Sequence, residues 1–140
     1  MNYNPDLSTY VIDAGPLFAL MDNEIGAVNI AKILRDNPGT CYVHAYNLTE
    51  LYYVYLRRGG VTMAEAALQK LKQIGIITRY DIDEGFWKQV ATFKANHPMS
   101  LPDAFCLTLA CRIGGTLVAT DHNEFDPLVQ HGYCPIQFIR

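Results

Sequence analysis

Charge is scarce in this chain. Only 18% of its 140 residues are charged and half are apolar, a balance that excludes disorder and argues for a buried core. A basic surplus is also missing. The formal charge is −3, so the chain is no general nucleic-acid coat, which must neutralise many phosphates. That leaves open an enzyme that recruits phosphates through a metal and a local Lys/Arg patch. No run approaches the ~18 apolar residues of a membrane span. Met1-Asn-Tyr-Asn-Pro-Asp6 has neither the basic start nor the apolar core of a signal peptide, and the cytoplasm is the expected location. Cys41, Cys106, Cys111 and Cys134 contain no C-x-x-C pair. The common zinc and redox motifs are therefore absent, and buried free thiols are expected. His44, His97, His122 and His131 have no H-E-x-x-H spacing. With no linker, repeat or low-complexity tract, residues 1–140 fit one domain.

What is present is an alternation of short apolar runs with longer periodic ones. Thr9–Ile12, Cys41–His44, Ile76–Tyr80, Thr116–Ala119 and Ile136–Ile139 are short and rich in Val, Ile, Tyr and Thr, which predicts strands. Ala27–Arg35, Asn47–Arg58, Thr62–Ile74, Glu84–Ala95 and Pro102–Ile113 have helical spacing. Gly59-Gly60 and Gly114-Gly115 read as stops, and a short helix is expected around Glu124. Strands separated by helices predict an α/β fold, with a central parallel sheet of about five strands and helices on both faces.

Four acids fall at the ends of these elements. Asp13 closes the first strand and Asp121 closes Thr116-Leu-Val-Ala-Thr-Asp121. Glu50 and Asp103 stand at helix starts. In an α/β sheet, strand C-terminal ends and the following helix starts share the edge where ligands bind, and right-handed crossovers leave little freedom to scatter them. Each acid also has a local explanation. Asp13 precedes Gly-Pro and suits a turn or cap. Asn47-Leu-Thr-Glu50 has the form of a capping box, Ser100-Leu-Pro-Asp103 is cap-like, and Asp121 opens a polar loop. Together they would repel. Two unit charges ~4 Å apart cost about 1 kcal/mol in water and more when buried. A divalent cation resolves that conflict, and an all-oxygen site suits Mg²⁺ or Mn²⁺, ions used to cleave phosphate esters.

Other residues are less informative. His44 reads as a strand-end residue and His122 as a surface-loop histidine. Arg57 and Arg58 suit either RNA phosphates or the helix C-terminus. Leu51, Tyr52, Tyr53, Val54, Tyr55 and Leu56 leave no polar face over their span. A helix apolar all round must be covered, which predicts a homodimer or another partner.

In Tyr10-Val-Ile-Asp-Ala-Gly-Pro-Leu17, Asn47-Leu-Thr-Glu-Leu-Tyr-Tyr53, Ser100-Leu-Pro-Asp-Ala-Phe105 and Leu117-Val-Ala-Thr-Asp-His-Asn-Glu-Phe125 the chain resembles the PIN-domain nucleases, in particular the single-domain toxins of toxin–antitoxin pairs. The resemblance spans nearly the whole chain. It implies a three-layer fold and a Mg²⁺- or Mn²⁺-dependent endoribonuclease. Asp13, Glu50, Asp103 and Asp121 fall on the acidic quartet, with Asp13, Asp103 and Asp121 expected as metal ligands and Glu50 acting on the nucleophile. Glu124 falls on an auxiliary acid. RNA is the implied substrate, and an antitoxin that offers a cation to the acidic site is the implied partner. Gly15 and Ala119 depart from the family pattern, each removing a hydroxyl from the support of the site. A non-catalytic RNA-binding or regulatory module is the alternative. A phosphatase with Asp13 as nucleophile lacks the second acid of D-x-D, and a phospho-acceptor receiver lacks a lysine in Ile136-Gln-Phe-Ile139.

Overall fold

The computed structural model describes residues 8–140, so the expectation for Met1–Asp6 lies outside the described residues. In chain order the elements are β1 (Tyr10–Ile12), α1 (Ala14–Asp22), α2 (Ala27–Asp36), β2 (Cys41–His44), α3 (Ala45–Ile74) and β3 (Ile77–Arg79). These are followed by α4 (Glu84–Asn96), α5 (Leu101–Ile113), β4 (Thr116–Ala119), α6 (His122–Val129) and β5 (Ile136–Phe138). All five strands join one parallel sheet in the order β3-β2-β1-β4-β5. The expected α/β architecture is therefore present, with β1 at its centre.

Strand alternation builds the three layers. Successive side chains point to opposite faces, so Val11 and Leu117 pack with Phe86, Phe93, Leu107 and Phe125 on one side. Ile12 and Val118 pack with Leu17, Ile30, Val43 and Leu51 on the other. The first face is covered by α4, α5 and α6, the second by α1, α2 and α3. Ile12 is in register with Val118, and the Asp13 N–H extends that ladder by donating to the Val118 carbonyl at 3.0 Å. Asp13 is thus fixed at the C-terminal end of the central strand.

The local starts explain how the other acids are placed. Ser100 caps α5, its Oγ accepting the Asp103 N–H at 3.3 Å, and Pro102 sits in the first turn, where a missing N–H costs nothing. The capping box expected at Asn47–Glu50 is not formed. Helix α3 begins earlier, at Ala45, because the His44 imidazole caps it: Nδ1 accepts the Tyr46 N–H at 3.0 Å. Asn47 therefore lies inside the first turn and is fully buried.

The stop expected at Gly59-Gly60 appears as a reversal within α3. Gly60 alone leaves helical geometry, at φ 75° and ψ −169°, a region natural to glycine. Tyr52 Oη donates to Glu65 Oε1 at 3.0 Å, yet residues so spaced on a straight helix would stand ~20 Å apart. The two halves fold back on each other. Leu51 and Tyr55 are buried on the first half, while Tyr53 remains 52% and Leu56 39% exposed. Among the described residues no helix is long and apolar enough to cross a membrane.

Candidate active site

Asp13, Glu50, Asp103, Asp121 and Glu124 line one cavity of about 310 Å³ at the C-terminal edge of the sheet. Asp13 enters it from β1, Glu50 from α3 and Asp103 from the first turn of α5. Asp121 follows β4, and Glu124 stands in the first turn of α6. No lysine or arginine is in the lining. Arg58 and Arg140 line an adjoining cavity that shares the Gly15 and Phe18 walls. A larger cavity, about 480 Å³ between α4 and α5, contains no acid, and its one cation, Arg112, is already paired with Asp81 and Asp83.

The five acids differ in environment. Asp13 and Asp103 are buried. Asp13 precedes α1, but its side chain makes no cap bond there. Burial pushes its pKa up to about 8; the charges of Asp103, Glu50 and Asp121 add to this, and the Ala14 N–H opposes it. Burial likewise raises Asp103 to about 7. The Ser100 hydroxyl opposes that shift, and the adjacent carboxylates of Glu124 and Asp121 reinforce it. Two carboxyl groups held together share a proton more readily than they both ionise. Asp121 is exposed and partly committed, its Oδ1 accepting the N–H groups of Asn123 at 2.9 Å and Glu124 at 3.2 Å. Glu50 is exposed.

This donor set fits a hard divalent cation. It is entirely oxygen, it holds two acids whose pKa values are raised by burial and by neighbouring carboxylates with no cationic side chain in the lining to oppose them, and Glu124 Oε2 is buried with no partner among the described residues. The carboxylates surround the cavity rather than converge on one point: among the described residues no three are close enough to chelate an ion directly. The fit is to an ion that keeps part of its water shell, as Mg²⁺ does.

The model of the family described as PIN domain matches residues 10–128, a span that contains every acid of the cavity. The chain belongs to the PIN-domain family. Among solved structures this PIN domain is similar to DNA-bound VapBC from Salmonella typhimurium, with TM-score 0.72 and 13% identity over 96% of this chain and 100% of that one. It is similar to VapBC-1 from nontypeable Haemophilus influenzae, with TM-score 0.68 and 17% identity over 94% and 98%. It is also similar to the Mycobacterium tuberculosis sarcin–ricin loop cleaving toxin VapC20, with TM-score 0.66 and 17% identity over 81% and 90%. At these identities the likeness is one of fold. No curated protein matches the chain.

One member of the PIN-domain site escaped the sequence reading. Asn47 Nδ2 donates to the Pro102 carbonyl at 2.9 Å and, at the long distance of 3.4 Å, to Asp13 Oδ1. It ties α3 to the start of α5 and to Asp13 at once. The signal was the asparagine itself, but its spacing to Glu50 imitated a cap. Ala119 is fully buried in the core and does not line the cavity, while Gly15 does. His122 lies outside it, stacked on Phe138 at 3.9 Å and bonded to Asp126 and the Arg140 carbonyl. His44 is structural: its cap role and its Nε2 bond to the Asp81 carbonyl at 2.8 Å use both nitrogens. Arg57 bonds Tyr53 Oη, and Arg58 pairs with Asp22 at 2.9 Å.

Proposed function

We propose that this PIN domain is a Mg²⁺- or Mn²⁺-dependent endoribonuclease, the toxin of a toxin–antitoxin pair acting in the cytoplasm. The observation that carries the reading is two buried, partly protonated acids, Asp13 and Asp103, beside three more carboxylates in a cavity lined by no cationic side chain. Structural likeness to toxin–antitoxin complexes and to a toxin that cleaves the sarcin–ricin loop supports the choice of partner and substrate.

Asp13, Asp103 and Asp121 would hold the cation, directly or through water. Once bound, that cation supplies positive charge opposite the charge developing on the phosphate and lowers the pKa of water. Glu50, on the exposed wall, orients the attacking water and takes its proton. Glu124 adds a carboxylate to the same wall of the cavity as Asp103 and Asp121. Water is the nucleophile, so no side chain needs to form a covalent intermediate. An antitoxin is expected to offer a cationic side chain to the same acids, and the exposed Tyr53 and Leu56 of α3 suit the contact of a homodimer.

The test is cleavage of RNA by the purified chain with Mg²⁺ or Mn²⁺, with EDTA and with an Asp13→Asn variant. Cleavage by the wild type, lost on chelation and in the variant, is expected. A wild type inert with both metals refutes the enzyme and leaves a non-catalytic module.

A further inference from the structure

Gly15 is the second residue of α1, two positions beyond Asp13. A Cβ there would collide with Thr120 Oγ1 and crowd Thr120 Cβ and Cγ2 at 3.3 and 3.4 Å. The threonine hydroxyl therefore occupies the volume that a side chain at position 15 would fill. Both residues line the acidic cavity. Thr120 stands between Ala119, the last residue of β4, and Asp121, and its hydroxyl meets α1 at Gly15, two residues beyond Asp13. It is half-buried.

The hydroxyl also behaves differently from its helical counterparts. Thr49 and Thr108 return their protons to carbonyls one turn back, at 2.8 and 2.7 Å. Thr120 makes no such bond among the described residues. A hydroxyl is both donor and acceptor. It can receive a cation or its water on one side and donate to a carboxylate on the other, and it adds no charge to a cavity already over-supplied with negative charge.

We infer that Thr120 is a positioning residue of this site: its hydroxyl would help hold a hydrated cation in the cavity lined by Asp13 and Asp121, and Gly15 is the residue that leaves it room. The inference rests on the metal-dependent reading above. It has a steric corollary. Positions 15 and 120 compete for one volume, so a hydroxyl can come from either but not from both.

The experiment is Mg²⁺ and Mn²⁺ titration of the full chain by calorimetry, with the metal-free melting temperature of each variant measured alongside and RNA cleavage as a second readout. Thr120→Ser should bind within about twofold of wild type. Thr120→Val, nearly isosteric, should keep its metal-free stability yet bind about tenfold more weakly, the usual scale for groups that support metal ligands. Gly15→Ser should lose metal-free stability. Combining it with Thr120→Ala should restore both stability and binding, because the hydroxyl returns from the other side. Wild-type affinity in Thr120→Val overturns the inference, as does a Gly15→Ser/Thr120→Ala double variant that is stable but binds no better than Thr120→Ala alone. The second comparison decides the matter even where Thr120→Val misfolds. A wild type that neither binds metal nor cleaves RNA removes the nuclease reading and this inference together. A wild type that binds and cleaves, with Thr120→Val its equal, removes this inference alone.

Discussion

Asp13 should make the metal-free protein less stable as pH rises, which is the reverse of ordinary carboxylate behaviour. Its ordinary pKa is 3.8, and in the folded chain it is about 8. Between those values the folded state keeps a proton that the unfolded chain has released. Stability is therefore full below pH ~4 and falls through the window, at ~1.4 kcal/mol per pH unit for one group. Across the window this reaches roughly 6 kcal/mol as a ceiling, and relaxation of the site will lower it. Asp103 acts in the same direction, but the two share neighbours and their effects do not simply add. Asp13→Asn removes the titration while keeping an acceptor for Asn47. In EDTA, the wild-type melting temperature should fall by about 5–15 °C between pH 5 and pH 8.5, at ~2–4 °C per kcal/mol. The asparagine variant should fall much less and be the more stable protein at pH 8.5. Mg²⁺ should raise the wild-type melting temperature more at pH 8.5 than at pH 5, because at low pH it must displace protons. Parallel wild-type and variant curves across that range, measured by circular dichroism or calorimetry, would refute the reasoning.

Three further outcomes are expected. Glu50→Gln should reduce RNA cleavage by about a hundredfold or more, as loss of a general base does, while leaving the Mg²⁺-dependent rise in melting temperature near wild type; a lost rise would make Glu50 a ligand instead. Asn47→Ala should destabilise the fold by roughly 1–3 kcal/mol, since a fully buried side chain that ties α3 to the first turn of α5 is lost, and urea unfolding with an unchanged midpoint would contradict that. Light scattering over a concentration series should show a dimer that Tyr53→Lys dissociates. A monomer at every concentration would assign the exposed part of α3 to some other contact.

The architecture was legible because its signals are local. Cys41–His44 and Thr116–Ala119 have the bounds their apolar runs suggest, and the pairing of sheet ends with acids followed from strand-then-helix order. Reading failed where a local pattern had two explanations. Asn47 and Glu50 have capping-box spacing, but the His44 imidazole moved the helix start three residues earlier and sent Asn47 inward. Gly59-Gly60 marked the end of a helix, although only Gly60 leaves helical geometry and the chain turns back there. The fit of Thr120 over Gly15 could not be read at all. It is a steric relation between residues far apart in sequence, created by the β1–β4 pairing.

That pairing has a consequence for synthesis. The first strand made is the central one, and β4, which closes its second side, is almost the last. A nascent chain can set β1 against β2 early, but the other edge of β1 stays unsatisfied until β4 has left the ribosome. Asp103, Asp121 and Glu124 arrive with or around that late segment. A partly translated chain thus holds Asp13 and Glu50 without the acids that would complete the cavity. On the proposed ribonuclease reading, translation order itself would keep the unfinished chain from attacking RNA beside the machine that is making it.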